Sequence, residues 1–308
     1  MANRVLEQVR RAVANLNPEE VRGTAERPLA IRLVASSMEG YAAIEDFLFP
    51  PSCSQEKRNE HVRVLHRAGD PDAPGEFDLE IYEQGVPRPE GAFSFSREEP
   101  DRLVAEILER REELGLPLAR RFAPFRGPVA EKIISSISKE NALFSLITAL
   151  PNIAPGLVEV PWALAEAGSD TAFLTVNQIR MLFLLAGASD RPIGYREQRA
   201  EIASTIAGAF GWRSVARELV GKVPFGGGIV PKAAVAFAGT WVVGRSAERL
   251  YRIGYGLTRR ERRLVYQEAF ERGKKVAGAL MDRLKSRDSP PADVFRGRER
   301  ETGPGSGG

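Results

Sequence analysis

The chain has one cysteine, Cys53, and two histidines, His61 and His66. A single thiol excludes an internal disulfide and any zinc site built on several thiolates. Two histidines leave little material for imidazole ligation, so no metal and no cofactor are expected. His-Glu-x-x-His, Gly-x-Ser-x-Gly and Cys-x-x-Cys are all missing, which removes the hydrolase and redox chemistries those motifs carry. Gly-x-Gly-x-x-Gly occurs once, at 303–308. It follows no strand and opens no helix, so it is an accident of tail composition. Long apolar runs are missing too, and a mean hydropathy of -0.25 excludes an ordinary multi-span transporter. The start of the chain has no continuous apolar run and reads as a charged amphipathic helix rather than a signal peptide, so a cytosol-facing protein is expected.

What remains is an ordinary globular balance of 43% hydrophobic and 28% charged residues over 308 positions. That length suggests about two domains at roughly 150 residues each. The net charge is only +3, but it is unevenly spread. Between Ile229 and Lys285 stand 13 basic and 5 acidic residues, a local net of +8.

Val5, Val9 and Val13 repeat at helical spacing, so residues 1–22 read as an N-terminal helix and linker. From 23 to 126 short apolar strands alternate with helices. Leu29–Val34, His61–His66, Phe77–Tyr82 and Ala92–Ser96 read as strands, and Glu39–Leu48 as a helix. Ser96 and Glu99 have the spacing of a capping box ahead of a helix with the stripe Leu103, Val104, Ile107 and Leu108. Residues 118–126 read as a basic, aromatic connector. From 127 to 286 the spacing is helical, with helices expected at 128–150, 156–167, 169–188, 195–209, 212–220, 229–253 and 258–285. Residues 287–308 are expected to be disordered. The predicted class is α+β overall: a small α/β domain with the pattern of a degenerate phosphate-binding loop, then a larger all-helical domain.

The strand ending at Val34 runs into Ala35-Ser-Ser-Met-Glu-Gly40-Tyr41-Ala42 and then a helix. Strand, tight loop and helix is the setting of a phosphate loop, which reads Gly, four residues, Gly, Lys, Ser or Thr. Here Gly40 is kept, while Ala35, Tyr41 and Ala42 stand where the first Gly, the Lys and the hydroxyl belong. The terminal phosphates lose their counter-charge and magnesium loses its ligand. The helix dipole alone is worth about 1 kcal/mol, too little to replace both. After the third strand, Tyr82-Glu-Gln-Gly85 echoes the Asp-x-x-Gly of GTP-binding domains, with Gly85 kept and the Asp replaced. Asp72-Ala-Pro-Gly75 reads as a hairpin turn, and no Asn-Lys-x-Asp occurs. An unrelated α/β unit in which Gly40 and Gly85 only make turns remains the plain alternative.

The second motif is a glycine-rich apolar stretch. Gly226, Gly227 and Gly228 precede Lys232, and Ala233, Ala236, Gly239, Thr240 and Gly244 recur at near-helical spacing. Small residues let a second helix approach closely, and Gly239 is the expected point of contact. The segments 141–158 and 171–189 are also nearly uncharged, the latter with Arg180 at its centre. A packed helical core and insertion into a bilayer both fit these segments. Arg259, Arg260, Arg262 and Arg263 follow the apolar stretch, the arrangement expected at a cytoplasmic membrane face; a solvated helix face is the plain reading. Nucleic acid is disfavoured because no recognition-helix or RNA-binding motif accompanies the charge. Glu159 and Glu166 flank Trp162 and are read as surface or capping carboxylates, Asp170 as a helix cap, and Cys53 as an incidental thiol.

From about Glu131 to Ala277, half of the chain, the sequence resembles the bacterial YcjF-type family, whose function is unknown. The likeness rests on Val176-Asn-Gln-Ile-Arg-Met-Leu182, Ile202-Ala-Ser-Thr-Ile-Ala-Gly208, Val223-Pro-Phe-Gly-Gly-Gly, Lys232-Ala-Ala-Val-Ala-Phe-Ala-Gly-Thr240 and Gly244. The resemblance implies a helical, membrane-associated module coupled to a GTPase and makes a decayed Era-type domain ahead of it more plausible. The expected function is therefore a non-catalytic adaptor or scaffold at the cytoplasmic face of a bacterial inner membrane. Its expected partners are proteins, a GTPase among them, and an anionic membrane surface; self-association stays open. The alternatives are a nucleotide-binding regulator with an atypical loop and a soluble cytoplasmic helical interaction module.

Overall fold

A computed structural model describes residues 16–51, 53–149, 170–207 and 228–285, with isolated positions 7, 11, 13 and 14 nearer the start. The expected helices at 156–167 and 212–220, the Glu159–Glu166 pair, Ser169 beside Asp170, Gly226 and Gly227, and the tail 287–308 lie outside the described residues, as does most of the expected N-terminal helix.

The chain is mixed α/β and mostly helical. It divides into two compact units. The sheet unit comprises Pro18–Lys132 and Phe183–Glu197; the helical unit comprises Met1–Asn17, Ile133–Leu182 and Gln198–Gly308. The boundary expected at 126/127 is crossed without a break by one helix, Ala123–Ile147, and a return segment around 183–197 joins the sheet unit.

In the sheet unit, α1 (Pro18–Glu26) precedes β1 (Ile31–Val34), α2 (Met38–Leu48) and α3 (Gln55–His61). There follow β2 (Leu65–Arg67), β3 (Leu79–Glu83), β4 (Phe93–Phe95), α4 (Pro100–Arg110) and α5 (Gly115–Arg121). The four strands form one parallel sheet in the order β2-β1-β3-β4. Strand alternation carries Ile31, Leu33, Leu79, Ile81, Phe93 and Phe95 to a single buried face. Arg32, Glu80 and Ser94 point the other way and are half-buried. Ile44 and Leu48 of α2 and the full stripe Leu103, Val104, Ile107 and Leu108 of α4 are buried.

Four local expectations change. The alternating His61–His66 run is strand only at its end: α3 closes on His61, Val62–Val64 is a 3-10 turn, and β2 starts at Leu65. Asp72–Gly75 makes no hairpin turn, because β2 and β3 lie on opposite sides of β1 and the loop between them is a parallel crossover. The Ser96–Glu99 capping box does not form. Helix α4 starts at Pro100, with Glu99 as a cap that makes no side-chain bond, and Ser96 Oγ accepts from the Glu98 N–H at 3.3 Å instead. Proline fixes the first turn, since its φ suits that position and it has no N–H to cap. The expected connector 118–126 is helical, being shared by α5 and the start of the next helix.

Helices α6 (Ala123–Ile147) and α7 (Asp170–Ala188) are followed by a helical segment at 199–207, then α8 (Ile229–Ile253) and α9 (Arg259–Lys285). Helices α8 and α9 form an antiparallel hairpin. Gly254, at φ 87°, ends α8 in the left-handed conformation and donates its N–H to Leu250 at 2.8 Å. Thr258 and Glu261 form the capping box of α9: Glu261 Oε2 accepts from the Thr258 N–H at 2.8 Å, and Thr258 Oγ1 from the Glu261 N–H at 3.3 Å.

Candidate functional site

An open parallel sheet places its ligand crevice at the carboxyl ends of the strands, where the strand order reverses. In the order β2-β1-β3-β4 that point lies between β1 and β3. The loop Ala35–Ser37, which leads from β1 into α2, stands there beside the end of β3. Ser37 caps α2, and its Oγ accepts from the Gly40 N–H at 3.1 Å.

The crevice is filled from within. Glu83 Oε2 accepts from the Ser36 N–H at 2.9 Å and from the Ser36 hydroxyl at 2.7 Å. A β-carbon on Gly40 would stand 2.5 Å from the same oxygen. The Glu83 carboxylate therefore lies against the first turn of α2, where a loop of this kind holds an anion. The Ser36 hydroxyl and N–H hold that carboxyl below the usual carboxylate range, with Arg97 adding to the effect. Arg97 itself pairs with Glu39 at 3.0 Å and donates to the Glu39 carbonyl at 3.1 Å.

The expected loop residues thus separate by role. Gly40 is buried against Glu83. Ala35 is half-buried and Ala42 exposed. Tyr41, the residue after Gly40, lies under the Arg67 guanidinium at 5.3 Å, and Arg67 is held by Glu45 at 2.7 Å. Gly85 is exposed, at φ 90°, in a tight turn where the Val86 N–H donates to the Glu83 carbonyl at 3.1 Å. Glu83 was not among the expected residues. Its signal was present in the strand alternation, which puts Leu79, Ile81 and Glu83 on the core face.

A second cluster joins the return segment to α3. Asp190 adopts φ 54° and pairs with Lys57, with His61 Nε2 at 3.8 Å. Burial works against its ionisation, but His61 and Lys57 together outweigh that cost and hold the carboxyl at about 2. Lys57 and His61 lie one helical turn apart, so one face of α3 presents both to the carboxylate.

In the helical unit the small residues act at different positions from the one expected. No described atom lies within 4 Å of a β-carbon on Gly239, so among the described residues it is not a close contact. Gly244 is: a β-carbon there would meet Ile134 Cγ1 at 2.7 Å and Met181 Sδ at 2.9 Å. On α9, Gly273 takes the same part against the backbone of Ala234, with its carbonyl oxygen at 3.0 Å. Gly228 is the cap residue of α8, and Lys232 is exposed.

The core of this unit holds a polar knot. Asn141 Nδ2 donates to Thr240 Oγ1 at 2.7 Å, Gln178 Nε2 donates to the same oxygen at 3.2 Å, and Asn177 Nδ2 donates to Asn141 Oδ1 at 3.0 Å. All four side chains are buried. They tie α6, α7 and α8 in one register, since a shift would strand buried amides without partners. Arg180, central in α7, pairs with Glu140 at 3.2 Å. Helix α7 is the one described helix long and apolar enough to cross a membrane, and 72% of Thr171–Ala188 is buried within the protein. Arg259, Arg260, Arg262 and Arg263 are all exposed at the start of α9.

Among the described residues no three His, Cys, Asp or Glu side chains are placed to hold one metal ion. No family model, curated protein or solved structure matches the chain.

Proposed function

We propose that the chain is a non-catalytic adaptor in which a decayed GTPase-like domain precedes a YcjF-type helical module, acting at the cytoplasmic face of a bacterial membrane. One observation carries the non-catalytic part: the Glu83 carboxylate against Gly40 and Ser36. A phosphate brought to the same turn meets a fixed negative charge. Two unit charges 4 Å apart repel by roughly 4 kcal/mol at an effective dielectric near 20, more than the helix dipole returns. Ser36 and Ser37 have already committed their hydroxyls, to Glu83 and to the Gly40 N–H, and Tyr41 adds no positive charge of its own. A domain in this state serves as a fixed surface for protein partners, a GTPase among them.

Titration of the purified chain with a fluorescent GTP analogue and magnesium tests this reading. Neither saturable binding nor turnover above a no-protein control is expected. Micromolar binding with turnover overturns it, and binding without turnover supports the nucleotide-regulator reading instead. Membrane association is tested separately by fractionating cells with salt and carbonate washes. A peripheral adaptor is released by one or both, and an exclusively soluble protein removes the membrane from the proposal.

A further inference from the structure

The end of the α8–α9 hairpin combines two properties found together nowhere else in the described residues. Among the described residues five large apolar side chains are exposed, and three of them, Ile253, Tyr255 and Leu264, fall within twelve positions. They come from the last turn of α8, the loop and the second turn of α9. An end-on approach to a surface is the orientation that engages all three.

The same end carries an excess of positive charge. Between Arg245 and Arg263 stand seven arginines and two glutamates. Both glutamates are engaged: Glu248 by Arg252 at 2.9 Å and Glu261 by Arg249 at 2.6 Å. Arg249 and Thr258 hold the Glu261 carboxyl at about 2, so it keeps its charge and stays engaged. Arg259, Arg260 and Arg263 are exposed, with no carboxylate of the described residues in salt-bridge range. Arg262 donates its Nε to the Leu257 carbonyl at 2.9 Å and keeps its charge exposed.

The tip is also preorganised. The Leu257 N–H donates to Ser246 Oγ at 3.1 Å, and that oxygen would stand 2.7 Å from a β-carbon on Gly256. The Arg249 guanidinium covers Tyr255 at 5.0 Å from the ring centre. The loop is thus held in place, and Tyr255 stays 58% exposed.

We propose that the α8–α9 hairpin end docks end-on into an anionic lipid surface, with Ile253, Tyr255 and Leu264 entering the interface and Arg259, Arg260, Arg262 and Arg263 meeting headgroup phosphates. This rests on the membrane-surface reading above and names the part that touches lipid. The chemistry selects the partner. Exposed arginines around a tyrosine suit any polyanion, but two aliphatic side chains gain nothing from a nucleic-acid backbone and much from an acyl boundary.

Each basic residue near an anionic surface is worth roughly a fivefold factor in partitioning, screened within a Debye length of about 10 Å. The test uses the full chain in flotation with phosphatidylglycerol or phosphatidylcholine vesicles at low and high salt. Wild type is expected to float with phosphatidylglycerol. The variant Arg259→Gln, Arg260→Gln, Arg262→Gln, Arg263→Gln is expected to lose about two to three orders of magnitude in partitioning at low salt. The variant Ile253→Ser, Leu264→Ser is expected to keep low-salt binding and lose the salt-resistant part. In a Cys53→Ser background, a solvatochromic label on Tyr255→Cys is expected to shift to the blue with phosphatidylglycerol only. The substituted side chains at the tip are exposed and Cys53 is half-buried in a loop, so melting temperatures are expected to stay within a few degrees. If wild type floats while both variants bind equally and the label does not shift, the tip is overturned and the membrane reading survives through another surface. If wild type floats with neither lipid, both are overturned, whether or not the chain captures RNA or an acidic protein.

Discussion

Gly40 and Glu83 share one space: the carboxylate of the second lies 2.5 Å from where the β-carbon of the first would stand. The strand-end acid and the helix-start glycine are 43 positions apart and close the loop together. Gly40→Ala forces the carboxylate to swing away from both Ser36 bonds. Hydrogen bonds to a charged group contribute about 1.5–3 kcal/mol each, discounted here because the loop is partly exposed. A loss of about 1–2 kcal/mol is expected in urea unfolding, and Glu83→Gln combined with Gly40→Ala should cost less than the two changes summed. Full additivity in that double-mutant cycle would show that the two positions do not interact.

Thr240 Oγ1 accepts from both Asn141 and Gln178 in a buried setting. Thr240→Val keeps the shape and removes the acceptor. Two buried amide donors are then left short, at about 1–3 kcal/mol each. A drop of about 2–4 kcal/mol is expected by chemical denaturation, whereas Thr240→Ser should lose less than half of that.

Two glycines of α8 should respond with opposite signs. Gly244→Ala drives a methyl group into Ile134 and Met181 and is expected to cost about 1–3 kcal/mol. Gly239→Ala meets no described atom and gains helix propensity, so it is expected to stabilise by up to about 1 kcal/mol. Thermal melts of the two variants side by side decide the matter.

The Asp190 carboxyl titrates at about 2 in the folded chain, against roughly 3.9 in the unfolded one. Its folded pKa is depressed, so its contribution is fully present above about pH 5 and is lost as pH falls towards 2. That contribution is on the order of 2 kcal/mol. Asp190→Asn should therefore cost about that much at pH 7 and far less at pH 2.5, measured by urea titration at both. Asn tolerates positive φ better than most residues, so Asp190→Ala should be the less stable of the two at either pH.

The helices were legible because their signals are local. Helix α8 was expected at 229–253 and runs Ile229–Ile253; α9 was expected at 258–285 and runs Arg259–Lys285. Apolar spacing and a glycine free to adopt positive φ act within a few residues of where they stand, so a linear reading finds them. The stripe of α4 was legible for the same reason. The capping box at Ser96 looked equally local and did not form, because Pro100 sets the helix start. The true box, Thr258 with Glu261, carried the same signature and went unread.

The sequence by itself determined the periodicities, the breaks, the presence of Tyr41 and Ala42 after Gly40, and the concentration of arginine after Ile229. Only the tertiary structure decided which strands are neighbours, and so that Asp72–Gly75 lies on a crossover. It placed Glu83 in the crevice, made Gly244 a close helix contact, and gathered Asn141, Asn177, Gln178 and Thr240 into one knot. Each of these is a relation between residues tens of positions apart. Strand pairing, steric fit and buried hydrogen bonds are set by distances in space, and a pattern confined to neighbouring positions holds no record of them.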